Sequence, residues 1–493
     1  MGSRSRARVG AWLIGLPIAA ACVGSDPDPV TSTSDGGAPT GDAASTADGS
    51  DLPPLPEPAL PCDPSEVPKD GIYVATDGAD ESGDGTALLP LRTLDAAIRL
   101  AVTAAKENIY VAEGTYNEAL VFDATRQGVV ITGGWLRSGE SWKRDCKEGF
   151  RTRTVVASPK NVAVRVTGVT KPTALDTITV ATKVASATPN DKPGETCIGV
   201  LISGDGSSFR MNRVKVVAGR AGNGGTATPS TPPGAKTCDG LSDCSASTPA
   251  VPPPTANAKL TSTMGTFTVD GFTPQDGTDG TPGVAGGNGT KGSAGEAKTC
   301  ATPGQGQCQD GTDSCSHGAS PQGYAPTGLC GCGGLGGKPG AAGRGGGASI
   351  ALLVSGTGST VVVQDTALVA NNGGDGSPGA PGGLGGAPTN GTKGATVSCP
   401  QDNAPTQTPG PGCGCGGKND KSFAGGPPGG PGAAGGNAGG GSGGAGGDSI
   451  AWVTMGTGKV VIQGSQGQIQ HGTAGHGANG APDGRAADNY VVP

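Results

Sequence analysis

Cysteines and scattered charges are the groups in this sequence whose spacing suggests chemistry. Two short runs, Cys330-Gly-Cys332-Gly and Cys413-Gly-Cys415-Gly, each hold two thiols one residue apart. Four thiolates would suit Zn²⁺, but the usual two-residue spacing is absent. A second pattern, Gly443-Gly-Ala-Gly-Gly-Asp448-Ser-Ile450-Ala, matches the Ca²⁺-binding nonapeptide GGxGxDxUx. That site needs tandem copies, and the corresponding position one repeat earlier is Ala348, which has no carboxylate. Arg165, Arg210, Arg213 and Lys215 lie in strand-like stretches, while Asp176, Asp205 and Asp365 read as isolated. His317 and His471 carry no partner pattern. The residues by themselves therefore predict no catalytic, cofactor-binding or metal-binding set.

Whatever positions these groups is not an ordinary core. The chain has 493 residues with 95 Gly and 41 Pro, 3% aromatic and 34% hydrophobic residues, below the usual globular share. The fold must be repetitive, cross-linked, or both. A net charge of −7 without a basic stripe argues against nucleic acid as a partner.

Arg4, Arg6 and Arg8 followed by apolar Ala11 to Ala21 form an export signal too short to span a bilayer. Small residues before Cys22 resemble the bacterial lipobox, which implies lipidation of Cys22; Ala19 departs from its usual Leu. The other reading is an ordinary signal peptide cut nearby. Residues 25–58 are rich in Ser, Thr, Asp, Pro and Ala and read as a flexible tether. An exported chain places its remaining 13 cysteines (Cys62, Cys146 and Cys197 among them) in disulfides by default, with one left over. Those between the glycine-rich tracts are the disulfide candidates: Cys238, Cys244, Cys300, Cys308, Cys315, Cys330, Cys332, Cys399, Cys413 and Cys415.

Residues 70–135 have a definite order. Ile72-Tyr73-Val74-Ala75 reads as a strand, then comes a Gly/Asp loop, then a helix with Leu94, Ala97, Ile98 and Ala101 on one face and Thr93 as N-cap, then strands over 108–116 and 129–135. This segment resembles the N-terminal part of right-handed parallel β-helix proteins of the pectin-lyase-like superfamily. Further on, Ile198 to Ser207, Ile350 to Ser359 and Ile450 to Lys459 are copies of one unit, with a weaker one at Val162 to Gly168. Each continues into a second strand: Phe209 to Val217, Thr360 to Val369, Val460 to Ile469, and Thr177 to Val180 for the weak copy. Stacking such units buries what one alone cannot. A Gly-His-Gly at 475–477 is shared with polygalacturonases of that fold, but the paired aspartates that accompany it there are missing.

The copies start 152 and then 100 residues apart (198, 350, 450), too far for one coil, so long excursions leave the stack and return. Gly recurs at every third position in them, as at 277, 280, 283, 286, 289, 292 and 295. A period of three is that of the polyproline II helix and of collagen. Three readings follow: a collagen-type triple helix between chains, a disordered linker, or a bundle in which tracts run out and back and exchange N–H···O=C bonds. The bundle is the expectation adopted, because the cysteines sit where the tracts would reverse, and each long-loop disulfide contributes about 2–4 kcal/mol. The layout is similar to the disulfide-bonded glycine-helix antifreeze proteins of springtails.

The expected fold is all-β: a short right-handed parallel β-helix with inserted glycine-rich arms stapled by disulfides. Its expected parts are a signal peptide (1–22), a tether (23–60), a trunk with cap helix (61–217), a first excursion (218–347), a coil (348–370), a second excursion (371–447), a further coil (448–470) and a glycine-rich tail (471–493). In composition the chain resembles glycine-rich (PGRS-like) exported β-helix lipoproteins. The expectation is an outer-membrane, surface-exposed, non-catalytic structural or adhesive protein, without cofactors, contacting polysaccharide or surface proteins, because length, staples and repeats are elaborated in the sequence while chemistry is not. The rival readings are a polysaccharide lyase or hydrolase on the same scaffold and an ice- or mineral-binding glycine bundle.

Overall fold

The computed structural model describes residues 64–492, apart from 147, 148, 150, 151, 235, 237–243, 245–250, 253–256, 259–262, 296, 300–321, 325, 399–421 and 465–468. Cys22, Cys62 and the expected signal peptide and tether thus lie outside the described residues, as do His317, Cys238, Cys300, Cys308, Cys315, Cys399, Cys413 and Cys415.

The chain visits three sheets in turn and begins again, as a right-handed parallel β-helix does. The first sheet stacks Ile72–Val74, Asn108–Ala112, Val130–Ser138, Ala174–Asp176, Ser208–Asn212, Thr360–Gln364 and Lys459–Gln463, with Ser141–Arg144 folded back antiparallel on Val130–Ser138. The second stacks Gly114–Tyr116, Thr154–Ala157, Thr179–Ala181, Lys215–Ala218, Ala367–Ala370 and Ile469–Gln470. The third stacks Leu120–Phe122, Val162–Thr167, Cys197–Ser203, Ser349–Val354, Ser449–Met455 and Ala486–Val492. Alternating inward residues such as Val200, Phe209, Met211, Val216, Leu352 and Val361 fill the interior. The helix Leu94–Thr103 closes one end with Leu94, Ala97, Ile98 and Ala101 buried, and Thr93 Oγ1 accepts from Ala96 N as its N-cap. The Glu118 carboxylate accepts from Leu94 N and Asp95 N at that same end.

The second strand of each repeat departs from the sequence reading: it is two strands around a corner. Thr177, Arg213 and Asp365 occupy that corner in successive coils with φ of 51°, 55° and 47°, and Gly464 follows with φ 80°. A left-handed residue turns the chain from the first sheet to the second. The ladder crosses the bend, since Thr177 N donates to Asn212 O, Arg213 N to Gln364 O, and Asp365 N to Gln463 O. In the weak copy the first-sheet strand is Ala174–Asp176, and Thr177 is the turn after it.

Every long excursion leaves after a second-sheet strand and returns to a third-sheet strand. Before its glycine tract, the first excursion folds a hairpin, Thr266–Thr268 with Gly271–Thr273, whose Phe267 and Phe272 cover Leu201, Leu353 and Val453. Cys197–Ser203 and Ser349–Val354 are consequently buried on both faces.

The tracts form one array. Gly277, Gly280, Gly283, Gly286, Gly289 and Gly292 donate to the carbonyls of Gly343, Gly340, Gly337, Gly334, Gly331 and Gly328 at 2.7–3.2 Å, an antiparallel pair. Residues 331–346 donate at every third position to 430–445 in parallel, and 430–445 donate back to 275–290. A second closed triangle shares the 331–346 and 430–445 edge: 374–389 donates to 332–347, and 432–447 donates to 374–389. The tracts of the two excursions therefore interleave in one lattice. Cys244 is bonded to Cys330, Cys146 and Cys332 are also disulfide-bonded, and Cys197 is a free thiol.

A Cβ on Gly337 would lie 2.0 Å from Gly383 O and 2.8 Å from Ala438 N, whereas one on Gly234 meets nothing within 4 Å. Gly337→Ala should lower the stability measured by denaturant unfolding by about 1–3 kcal/mol, and Gly234→Ala should change it by no more than about 0.5 kcal/mol. Equal effects would contradict the close approach of these backbones.

Candidate functional site

The strands bring three groups of functional side chains together, and the largest is the solvent face of the first sheet. Outward positions stack in columns at the strand spacing of about 4.8 Å. One column is Val130, Ala174, Arg210, Val362 and Val461; a second is Thr132, Asp176, Asn212, Gln364 and Gln463; a third is Ser208, Thr360 and Lys459. The face thus offers a ladder of amides and hydroxyls beside an apolar strip. Arg210 and Lys459 are exposed on it and have no ion-pair partner among the described residues.

Asp176, expected to stand alone, does not. Arg213 holds it bidentately, Nε to Oδ1 at 3.0 Å and Nη2 to Oδ2 at 2.7 Å. Asn212 Nδ2 donates at 2.9 Å and Thr177 Oγ1 at 2.6 Å. Arg144 approaches to 4.0 Å, lies over the Trp135 ring at 5.1 Å, and donates to Thr177 Oγ1. Burial draws the Arg144 guanidinium below its ordinary range, against the opposing pull of Glu66 and Asp176. Sequence distance hid the cluster: Arg144 reaches it only because its hairpin folds back over the first sheet, and Arg213 only because the corner turns it toward the coil below.

The second group lies where the excursions leave. Cys197, Ser349 and Ser449 share one register at the start of successive third-sheet strands. Ser349 Oγ donates to Gly219 O and accepts from Asn371 N. Ser449 Oγ donates to Asn371 O and accepts from Gly472 N. Cys197 Sγ stands 3.5 Å from Lys183 O and from Arg220 O. Each side chain ties the returning leg of an excursion to departing legs. Cys197 is a free thiol, fully buried, and desolvation foremost, with Glu195 nearby, pushes its pKa up to about 11 from an ordinary value of 9.0.

The third group is Asp448 with Arg485. Asp448 is fully buried, and burial raises its pKa against the opposing effect of Arg485. Arg485 N donates to Oδ1 at 2.8 Å, and its Nη2 lies 3.1 Å from Oδ2. The guanidinium lies 5.5 Å from the Phe267 ring centroid and 4.2 Å from that of Tyr490. The nonapeptide carboxylate thus anchors the last coil. His476 is exposed and 3.6 Å from Asp483; His471 is 3.8 Å from Asp488. Cys330 and Cys332 are spent in disulfides, which removes them as thiolate ligands. Arg165 lies 3.9 Å from Asp270, Asp205 Oδ1 accepts from Thr357 N, and Lys215 opens the second-sheet strand beyond the corner.

No family model and no curated protein sequence matches this chain. Among solved structures it is similar to pectin methylesterases. One, in complex with a hexasaccharide, is 15% identical with a TM-score of 0.20, and the alignment covers 31% of this chain and 47% of that one. Pectin methylesterase PemA from Erwinia chrysanthemi is 13% identical with a TM-score of 0.19 and the same coverage. The enzyme from Aspergillus niger is 15% identical with a TM-score of 0.17, over 34% of this chain and 62% of that one. The chain spans about half the length of the first two. Such scores carry no inference about chemistry, and the fold rests on the strand pairing described above.

Because the folded pKa of Cys197 is raised, its contribution to stability is complete below pH 9, the unfolded value, and declines as pH rises to about 11. Unfolding titrations should lose about 1.4 kcal/mol per pH unit across that window. Cys197→Ser, which copies Ser349, should flatten the slope. Native protein at pH 8 should resist iodoacetamide at this thiol, and rapid alkylation would refute the burial.

Proposed function

We propose that the chain is a non-catalytic, exported structural or adhesive protein. Lipidated Cys22 would hold it to the outer membrane, and residues 25–58 would space it from the lipid. The observation that carries this reading is the unbroken period-three ladder through 277–292, 331–346 and 430–445. A tract of some 18 residues hydrogen-bonded at every third residue is a stiff rod of about 55 Å at 3.1 Å per residue. Rods bonded to neighbours on several sides, with Cys244–Cys330 joining two of their legs, would resist extracellular proteases. The contact face of this reading is the first sheet, where amides, hydroxyls and the uncompensated Arg210 and Lys459 suit a linear acidic polysaccharide.

A second reading, a polysaccharide-acting hydrolase, has the Asp176 cluster in its favour: a carboxylate flanked by two guanidiniums on the open sheet face. Against it, Asp176 accepts from Arg213, Asn212 and Thr177 at once, which occupies the lone pairs a base or nucleophile needs.

Two measurements separate these readings. On an array of surface glycans, Arg210→Ala with Lys459→Ala should weaken binding to acidic polysaccharides about tenfold, the loss of two modest charge contacts, and gene deletion should reduce cell adhesion. No glycan binding together with unchanged adhesion would end the adhesive reading. Methanol release from methyl-esterified pectin should be the same for native protein and Asp176→Asn; turnover that the substitution abolishes would establish the hydrolase.

A further inference from the structure

The hairpin Thr266–Thr268 with Gly271–Thr273 lies on the trunk without joining its ladders. Its strands pair only with each other, Thr266 with Thr273, Phe267 with Phe272 and Thr268 with Gly271. Among the described residues, no backbone hydrogen bond runs from 263–274 to another element. Its polar ties to the trunk are few and long. Thr196 Oγ1 lies 3.4 Å from Phe272 O, Ser355 Oγ 3.3 Å from Val269 O, Arg485 Nη2 3.3 Å from Gly265 O, and Arg165 Nη1 3.9 Å from the exposed Asp270. Beyond these it rests on apolar contact. Phe267 and Phe272 lie on Leu201, Leu353 and Val453, which point outward from the third sheet, while their neighbours Val200 and Leu352 point into the interior. Of the polar ties, only Arg485 is itself anchored: buried Asp448 holds it, and its guanidinium meets the rings of Phe267 and Tyr490.

We infer that this hairpin is a latched lid, which lifts from the third sheet as one unit while the coil and the lattice stay folded, with Arg485 against Phe267 as its latch. An isolated two-stranded hairpin is only marginally stable in water. An element with few backbone bonds to its neighbours opens at a lower free energy than the whole molecule. Lifting gives up the burial of two phenylalanines and breaks no ladder hydrogen bond. The hinge on one side is Pro274, because the next residue is already in the lattice, where Ala445 N donates to Gln275 O. Opening turns Leu201 and Leu353 to solvent and leaves Val200 and Leu352 covered. The lid thus controls whether the protein shows an apolar sheet face. This device goes beyond the adhesive reading and does not depend on the first-sheet face.

Adjacent positions on opposite faces of one strand provide the test. In the full chain, Leu353→Cys places a thiol beneath the lid and Leu352→Cys places one in the interior. Iodoacetamide labelling of each is followed by mass spectrometry of the peptide that carries it. Labelling of Leu353→Cys should be about tenfold or more faster than that of Leu352→Cys. Adding Phe267→Ala should speed it by about tenfold again, and Arg485→Lys should speed it severalfold, with Leu352→Cys unchanged in both. Arg485→Lys keeps a cation beside Asp448, so the last coil keeps its anchor. Equal labelling at 352 and 353 would mean that the hairpin leaves only when the whole chain unfolds, and would overturn the proposal. Labelling of Leu353→Cys as fast as a free peptide thiol would mean that nothing covers the sheet, and a rate that either added substitution leaves unchanged would remove the latch; both overturn it. Leu201→Cys and Val200→Cys repeat the comparison one coil earlier if either first variant fails to fold. Hydrogen exchange of the unsubstituted protein is a further check: amides of 266–273 should exchange ahead of those of 349–354, and simultaneous exchange would overturn the lid.

Discussion

Two backbones can exchange hydrogen bonds at every third residue only if nothing stands between them, and in this protein a missing Cβ makes that room. At Gly280 a Cβ would fall 1.9 Å from Gly439 O, and at Gly283 2.1 Å from Gly436 O. An isolated extended helix has no internal hydrogen bonds, so each tract must find its partners on its neighbours, and closed triangles supply them. The cost is large. Glycine loses more conformational freedom on ordering than any other residue, and the tracts have few apolar side chains to bury in return. Long-loop closure is the remaining source of stabilisation, and Cys244–Cys330, 86 residues apart, supplies it at the end of the bundle away from the trunk. The hydroxyls of Ser349 and Ser449 close the other end.

A lattice with a uniform three-residue repeat has a register problem. Sliding a tract by three residues restores every glycine to a glycine position, so the ladder by itself does not specify alignment. Side chains do. Ser377 Oγ donates to Gly225 O and accepts from Arg344 N, which joins three legs at one height. Ser442 Oγ accepts from Thr278 N, Asn288 Oδ1 from Gly333 N, and Asn437 Oδ1 from Gly385 N. Asp276 accepts from Gly345 N and pairs with Arg344. Any slip breaks these contacts together, much as a polar residue in a coiled coil fixes register at some expense of stability. The few non-glycine residues inside the bundle are therefore its addressing system.

Much of this was legible before the fold was known, because its signals are periodic. The 3.6-residue spacing of Leu94, Ala97, Ile98 and Ala101 marks the cap helix, and the Ile198, Ile350 and Ile450 units fall in register as the third sheet. The period of three marks the bundle. What stayed hidden depends on single residues or on long-range packing. Thr177, Arg213 and Asp365 adopt left-handed backbone that glycine normally signals, so the corners at Arg213 and Asp365 read as continuous strand and Thr177 as the start of one. The Phe267 and Phe272 hairpin had a signal, Asp270-Gly271 between alternating residues, which marks a tight turn. Its role as a lid on the third sheet did not. The grouping of Arg144, Asp176 and Arg213 depends on the corner and on a folded-back strand, neither of which has a local signature.

The place where the excursions leave decides what the rest of the molecule can do. Both lattice-forming excursions and the terminal loop depart between the second and third sheets, and the Phe267 hairpin then covers the third. The first sheet is left with its polar columns facing solvent. Had the excursions left at the left-handed corner instead, they would have crossed in front of Asn212, Gln364 and Gln463 and closed that face. In the coils of Thr177, Arg213 and Asp365 that corner is tight, because the hydrogen-bond ladder runs through the bend; the coil before them admits only the short Ser141–Arg144 hairpin there. The opposite junction has slack: the legs there need only meet at one hydroxyl per coil, whatever length of chain lies between them. The separation of a stiff glycine lattice from an open polar sheet thus follows from which turn of the coil is hydrogen-bonded through and which is merely clasped.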